Sequence, residues 1–222
     1  MATKQAGGGV RRKRKGPGAD TAERILDIAE RLVQARGFNA FSYADVAAEL
    51  GITRASLHYH FPGKAELGEA LVARYTERFT DALAAIDAAT PDASSKLEAY
   101  LGLYSDVLRG HRMCLCGMLA AEYQTLPTGI QHAVIAFFDA NEAWLERVLD
   151  QGRHRGELLF SGPSRDTARM IVSALQGAML IARPHHDHGR FHATAIRLIA
   201  SIAAPAAPSG PATSGSPAPA SG

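Results

Sequence analysis

Two short helical segments joined by a single glycine constrain the fold more than any other feature of this sequence. The first segment, "YADVAAEL", follows Ser42, a favourable N-cap residue, and places Asp45 near its positive end. Gly51 makes the turn, Thr53 caps the second segment, "RASLHYH", and Pro62 stops it. This order of capped helix, tight turn and second capped helix predicts a helix-turn-helix motif.

The second of these helices carries an unusual set of polar and aromatic side chains. At about 100° per residue, Leu57 and Phe61 share one column and face the core. The other faces then carry Arg54, Ala55, Ser56, His58, Tyr59 and His60. Arginine and histidine can reach base edges in a major groove, and hydroxyl groups and the amine of Lys64 can hold phosphates. These residues therefore predict a DNA-binding surface; the simpler alternative is an exposed helix with incidental aromatic residues.

The rest of the sequence is also helical in its periodicity. Leucine and alanine recur at helical spacing, and no long stretch alternates like a β-strand. The first helix is predicted to open at Asp20, with Glu23 completing a capping box, and to end at Gly37. Further helices are predicted over residues 64–89, 92–109, 114–124, 128–152, 164–183 and 189–203. The predicted fold is all-α, with an N-terminal helix-turn-helix domain at 19–65 and a larger helical domain at 66–203.

Both ends of the chain differ in composition from its body. Residues 1–18 carry six positive charges, which leaves −4 on the remainder of a chain whose net charge is +2. Residues 204–222 contain only Ala, Pro, Ser, Gly and Thr. Both segments are predicted to be disordered, because they offer too little apolar surface to offset the entropy of ordering. The basic arm suggests an anionic partner at this end, or else it only improves solubility.

Several classes of protein are disfavoured. No apolar segment follows the basic N-terminus, as one would in a signal peptide, and the longest apolar stretch, "MIVSALQGAMLIA", is too short to cross a bilayer. We therefore expect a cytoplasmic protein with no membrane partner. The sequence also contains no G-x-S-x-G, H-E-x-x-H, P-loop or dinucleotide motif, so we expect neither enzymatic activity nor a cofactor.

The segment "TAERILDIAERLVQARGFNAFSYADVAAELGITRASLHYHFPGKAEL" resembles the N-terminal domain of the TetR family of transcriptional regulators. The resemblance runs without a gap from Thr21 to Leu67 and implies a homodimeric, ligand-responsive regulator, most often a repressor, that binds a palindromic double-stranded DNA operator. It implies base contacts from Arg54, Ala55 and His58. It implies phosphate contacts from Ser42, Ser56, Tyr59, His60 and Lys64, and the predicted surface also includes Tyr43 and Thr53. Ala44 departs from the family pattern, where an arginine is frequent.

The same resemblance implies that a small-molecule inducer binds among the C-terminal helices. Candidate lining residues, which combine apolar walls with a few polar groups, are Tyr104, Met118, Glu122, Phe137, Asn141, Trp144 and Gln176. The last two helices are expected to form a four-helix bundle with a second copy of the chain. Small residues at Ala174, Gly177, Ala178 and Ala182 favour such close packing.

Three other interpretations stay open. Cys114 and Cys116 point to different faces of a helix. Either Cys116 is a small core residue and Cys114 an incidental neighbour, or they act as a thiol sensor, which would need a depressed pKa. The segment "PHHDHGRFH" contains His185, His186, Asp187, His188 and His192, which are either solvated or sense a metal; we predict no metal site. A non-specific DNA-binding protein would use the basic arm without preferring a palindrome.

Overall fold

The structure is a computed structural model of the 222-residue chain, and it describes residues 17–204, with side chains from residue 20. The described residues form nine α-helices and one 3-10 turn. The helices are α1 (Pro17–Arg36), α2 (Tyr43–Leu50), α3 (Arg54–His60), α4 (Lys64–Ala89), α5 (Ala93–Arg109), α6 (Leu115–Ala121), α7 (Thr128–His154), α8 (Ser164–Ala182) and α9 (His188–Ala200). Within these residues the sole β-type pairing is an isolated bridge between Leu158 and Ala203, so the all-α prediction is confirmed.

Most predicted helix bounds agree with the structure to within two residues, and those of three helices differ by three. Helix α9, predicted to reach residue 203, ends at Ala200. Helix α1 begins at Pro17, so Asp20 lies inside its first turn instead of capping it. Proline suits the first turn because the amide it lacks would have no partner there. Helix α6 ends at Ala121, and a 3-10 turn at Tyr123–Thr125 replaces the rest of the predicted helix. Most of the basic arm and of the C-terminal tail lies outside the described residues.

The N-terminal unit, α1–α3, packs around a small apolar core. Ile25, Val33, Phe41, Val46 and Leu57 are buried in it. Both predicted caps of the helix-turn-helix are present: the Ser42 and Thr53 hydroxyls accept from backbone amides three residues later. Gly51 adopts a φ of 67°, the left-handed conformation that glycine adopts without strain. Local sequence therefore determines the geometry of α2 and α3.

Helix α4 connects this unit to the C-terminal unit, α5–α9. The Arg74 guanidinium of α4 binds three carboxylates of α1: Glu23 at 3.2 Å, Asp27 at 2.8 Å and Glu30 at 2.9 Å. Arg78 adds a second contact to Glu30 at 3.0 Å. Farther along α4, buried apolar side chains pack against the C-terminal unit. A displacement of α4 would therefore be transmitted to α1.

Candidate DNA-binding surface and helical core

The outward face of α3 is exposed as the sequence predicted. Tyr59 is 85% exposed, and Arg54, Ala55 and His58 are exposed beside it. Leu57 is fully buried on the opposite side. A helix of this width with its polar residues facing away from the core can enter a major groove, which is about as wide as a helix.

The Tyr43 hydroxyl is used inside the protein. It donates hydrogen bonds to the carbonyls of Phe61 at 2.9 Å and Gly63 at 2.5 Å, which lie in the turn between α3 and α4. Burial and the nearby Glu66 carboxylate raise the pKa of Tyr43 to about 12, so the hydroxyl stays a donor. Tyr43 therefore positions the turn between α3 and α4, and its hydroxyl proton is engaged within the protein.

The His58 ring is oriented by two neighbours. Its Nδ1 lies 3.0 Å from the Pro62 carbonyl, and its ring lies 4.8 Å from the Tyr43 ring. A carbonyl only accepts, so Nδ1 carries a proton, and in the tautomer protonated at Nδ1 alone the Nε2 is an acceptor. That nitrogen can accept from the exocyclic amine of adenine or cytosine.

A cavity of about 340 Å³ lies between the start of α2 and α3. Its lining includes Ser42, Ala44, Arg54, His58 and Lys64. The Lys64 ammonium lies over the rings of Phe38 and Phe41, at 4.8 and 4.5 Å from their centroids. Burial lowers the pKa of Lys64, against the opposing effect of nearby carboxylates. Cationic groups and hydroxyls around one opening provide donors for an anionic oxygen, such as that of a DNA phosphate.

The remaining α3 residues of the predicted surface lie at its edge. Ser56 and His60 are half-buried, and the Ser56 amide donates to the Thr53 hydroxyl at 3.1 Å. The His60 ring lies edge-on to Tyr59, with 5.3 Å between centroids. The structure thus brings the ten predicted residues into one region. Tyr43 hydrogen-bonds the turn after α3 and Thr53 caps α3, and the other eight residues face outward or line the cavity.

Four of the seven predicted ligand-binding residues meet in the C-terminal unit. We call this group, with its aromatic neighbours, the aromatic core; it consists of Tyr75, Phe79, Tyr100, Tyr104, Phe137, Asn141 and Trp144. The Tyr100 and Tyr104 hydroxyls lie 2.9 Å apart, and Tyr100 donates to Asn141 Oδ1 at 3.2 Å. Trp144 stacks on Tyr100 with 5.5 Å between centroids. Burial raises the pKa of both tyrosines, so their hydroxyls remain protonated donors.

The other three candidates lie outside the aromatic core. The Glu122 carboxylate accepts from the backbone amides of Phe38 at 2.5 Å and Asn39 at 3.2 Å, between α1 and α2. The Met118 sulfur accepts from Arg183 at 3.2 Å. Gln176 packs against Gly117, and its buried Nε2 has no hydrogen-bond partner among the described residues. Glu122 is therefore an inter-unit contact and does not line the aromatic core.

Comparison with known proteins shows relatives along most of the chain. The HTH-type transcriptional regulator LmrA of Bacillus subtilis is 32% identical over 170 residues, which cover 73% of this chain and 86% of that protein. The crystal structure of a TetR-family transcriptional regulator from Agrobacterium tumefaciens is similar with a TM-score of 0.82 and 34% identity, covering 84% of this chain and 100% of that one. The chain belongs to the TetR family of transcriptional regulators.

The family model matches the N-terminal unit and the start of α4. The family model described as "Bacterial regulatory proteins, tetR family" matches residues 25–71. The regulator TtgR of Pseudomonas putida is 38% identical over 61 residues, but these cover only 29% of its own length. The resemblance predicted from residues 21–67 is confirmed, and the N-terminal unit is the DNA-binding domain of a TetR-family regulator. No described helix is long and apolar enough to cross a membrane.

Both cysteines of this TetR-family chain are buried. The Tyr75 hydroxyl donates to Cys114 Sγ at 3.6 Å, and burial, with the neighbouring Cys114, raises the pKa of the Cys116 thiol. A thiol sensor needs the opposite shift together with solvent access. The geometry therefore favours the interpretation of Cys116 as a core residue.

The histidine segment lies where α8 ends and α9 begins. Its nearest ring contact is between His188 and His111, whose centroids are 5.6 Å apart. Within residues 20–204 no three His, Cys, Asp or Glu side chains form a group that could hold a metal ion. Sequence reasoning missed the hydrogen bond from Arg183, which directly precedes this segment, to the Ala35 carbonyl of α1, because the two residues lie 148 positions apart and no local pattern pairs them.

Proposed function

We propose that this TetR-family protein is a homodimeric repressor that binds a palindromic operator and releases it when a small-molecule inducer binds. The observation that carries the proposal is the exposed face of α3 beside the cavity between α2 and α3. Base edges would meet Arg54, Ala55 and His58, and phosphates would meet Ser42, Ser56, Tyr59, His60 and Lys64. A protein with this role works on chromosomal DNA, which supports a cytoplasmic location.

The dimer would form through the outer face of α8 and α9. Met170, Gly177 and Ile181 lie at helical spacing on α8 and are exposed, and Ile196 is exposed on α9. An apolar row of this kind on two adjacent helices supports burial against a symmetric copy. Two recognition helices would then lie about one turn of DNA apart, which matches a palindromic site.

The inducer would bind at the aromatic core. Tyr75 and Phe79 belong to α4, and both lie within ring contact of Phe137. The Trp144 indole donates to Asp87 of α4 at 2.9 Å. An apolar or aromatic compound that separates these rings would displace α4, whose first residue, Lys64, lines the DNA-binding cavity.

A fluorescence anisotropy titration with DNA from upstream of the protein's own gene tests this function. At physiological salt we expect tighter binding to that DNA than to a shuffled duplex. Equal affinity for both duplexes would contradict the proposal and favour a non-specific DNA-binding protein.

Trp144 is the chain's single tryptophan, so its emission reports on the aromatic core without a label. We expect an aromatic compound that releases the operator to change this emission. By linkage, its affinity must fall by the same factor when operator DNA is present. A releasing compound that leaves the emission of Trp144 unchanged would place the inducer site elsewhere.

A further inference from the structure

A second cavity, of about 200 Å³, lies where α5 and α8 end and α9 begins. Five basic side chains line it, and we call it the basic pocket: His111, Arg112, Arg183, His186 and His188. It is separate from the aromatic core, since the two share no residue.

The backbone of the basic pocket is strained at two positions. His111 has a φ of 55° and His186 a φ of 50°, and within the described residues these are the only residues other than glycine with a positive φ. Side chains with a Cβ adopt this conformation at a cost, and here both residues close helix C-termini, those of α5 and α8, where a left-handed residue is common. Both strained residues line the same cavity.

The two arginines have only neutral partners among the described residues. Arg112 donates to the Gln34 side chain at 3.2 Å, and Arg183 donates to the Ala35 carbonyl and to the Met118 sulfur. Neither takes part in an ion pair with a described carboxylate. Two half-buried guanidinium groups without a counter-ion favour an anionic ligand.

Asp187 is the acidic residue nearest in sequence to the lining of the basic pocket, and its carboxylate already has partners. Its carboxylate accepts from the Gly189 amide at 2.9 Å and lies 3.5 Å from Arg190. A metal ion is a poor occupant, because two guanidinium groups repel it and no group of three suitable ligands exists among the described residues.

We propose that the basic pocket binds the carboxylate of an amphipathic organic anion. Leu108 and Ala182 give the pocket an apolar wall. A neighbouring cavity of about 310 Å³ shares Leu108 and His188 with it and adds Phe191. The carboxylate would lie between Arg112 and Arg183, and the apolar chain would extend toward Phe191.

The basic pocket adjoins the DNA-binding domain. Gln34 and Ala35, which accept from Arg112 and Arg183, belong to the last turn of α1. A bound carboxylate competes for these guanidinium groups and weakens the attachment of α1. This step rests on the proposed function, and it predicts that the anion lowers operator affinity.

Calorimetry with octanoate tests the site in the absence of DNA. Acetate, which has the charge alone, and 1-octanol, which has the chain alone, are the matched probes. We expect octanoate to bind wild-type protein more tightly than either. Binding of 1-octanol as tight as that of octanoate would overturn the proposal, because it would show an apolar site without charge recognition.

Variants locate the bound octanoate. Arg183→Gln keeps a donor for the Ala35 carbonyl but removes the charge, and we expect its octanoate affinity to fall about tenfold. His186→Gly relieves the strained backbone, so it should remain folded while binding octanoate less tightly. Arg165→Gln, an exposed arginine at the other end of α8, is the control and should bind as the wild type does. Unchanged affinity in Arg183→Gln would overturn the assignment and place octanoate elsewhere, for example in the aromatic core.

Anisotropy with operator DNA then tests the coupling separately. Octanoate should weaken operator binding by wild-type protein and by Arg165→Gln, and much less by Arg183→Gln. An operator affinity that is the same with and without octanoate would overturn the coupling. A protein that prefers no DNA sequence would instead contradict the proposed function. The calorimetric result is obtained without DNA, so octanoate binding at the basic pocket is tested whether or not the proposed function holds.

Discussion

On α3 the predicted functional side chains face solvent, whereas in the C-terminal unit four of them face one another. Tyr59 is 85% exposed, while Phe137 and Trp144 are 1% and 3% exposed. The first surface is available to a large partner such as DNA without rearrangement. The aromatic core would have to open before the proposed inducer could enter, so we expect inducer binding and movement of α4 to be one event. The following changes test this contrast, beginning with the largest expected effect.

Phe137→Ala should be the most damaging of these substitutions. Removing a buried phenylalanine costs about 3–5 kcal/mol of unfolding free energy, because the neighbouring rings cannot close the cavity completely. Tyr59→Ala, at an exposed position, should change it by less than about 0.5 kcal/mol. Chemical denaturation of both variants measures the difference. Similar losses of unfolding free energy in the two variants would contradict the contrast between a buried aromatic core and an exposed α3 face.

Glu122→Gln should weaken the contact between the C-terminal unit and the Phe38 and Asn39 amides that follow α1. Hydrogen bonds to a charged acceptor contribute about 1.5–3 kcal/mol, so replacing the carboxylate should cost a comparable or smaller amount. We expect hydrogen exchange at Phe38 and Asn39 to accelerate, while the exchange of the aromatic core is unaffected. Glu98→Gln, on the exposed face of α5, serves as the control. Unchanged exchange at Phe38 would contradict the assigned contact.

The smallest effect is expected for Asp87→Asn, and it depends on pH. Burial alone would raise the pKa of Asp87, but hydrogen bonds from Lys96 and Trp144 outweigh it and lower the pKa below its usual 3.8. A lowered pKa in the folded state gives stability that is present above about pH 4 and is lost as the pH falls further. Thermal unfolding should therefore depend less on pH below 4 in Asp87→Asn than in wild type. Asp81→Asn, an exposed acid on the same helix, should keep the wild-type dependence.

Features set by residues close together in the sequence were predicted, and contacts between residues far apart in the sequence were not. The bounds of α4, the caps at Ser42 and Thr53 and the outward face of α3 all follow from residues within a few positions of one another. The partners of Glu122 and Arg183 were not predictable, because each lies more than 80 residues away along the chain: the Phe38 amide, just after α1, donates to Glu122, and the Ala35 carbonyl of α1 accepts from Arg183. The aromatic core is intermediate: helical spacing grouped Phe137, Asn141 and Trp144, but it did not reveal their bonds to α4 and α5.

The division of roles on the DNA-binding surface is tested most directly by operator and shuffled duplexes titrated at several salt concentrations. His58→Ala should lose about 1–3 kcal/mol of binding free energy on the operator and little on the shuffled duplex, because we propose that its Nε2 contacts a base edge. Lys64→Met keeps the apolar stem over Phe38 and Phe41, so it should weaken both duplexes equally and lower the salt slope by about one unit. A loss confined to the operator for Lys64→Met, or an equal loss on both duplexes for His58→Ala, would contradict the assignment.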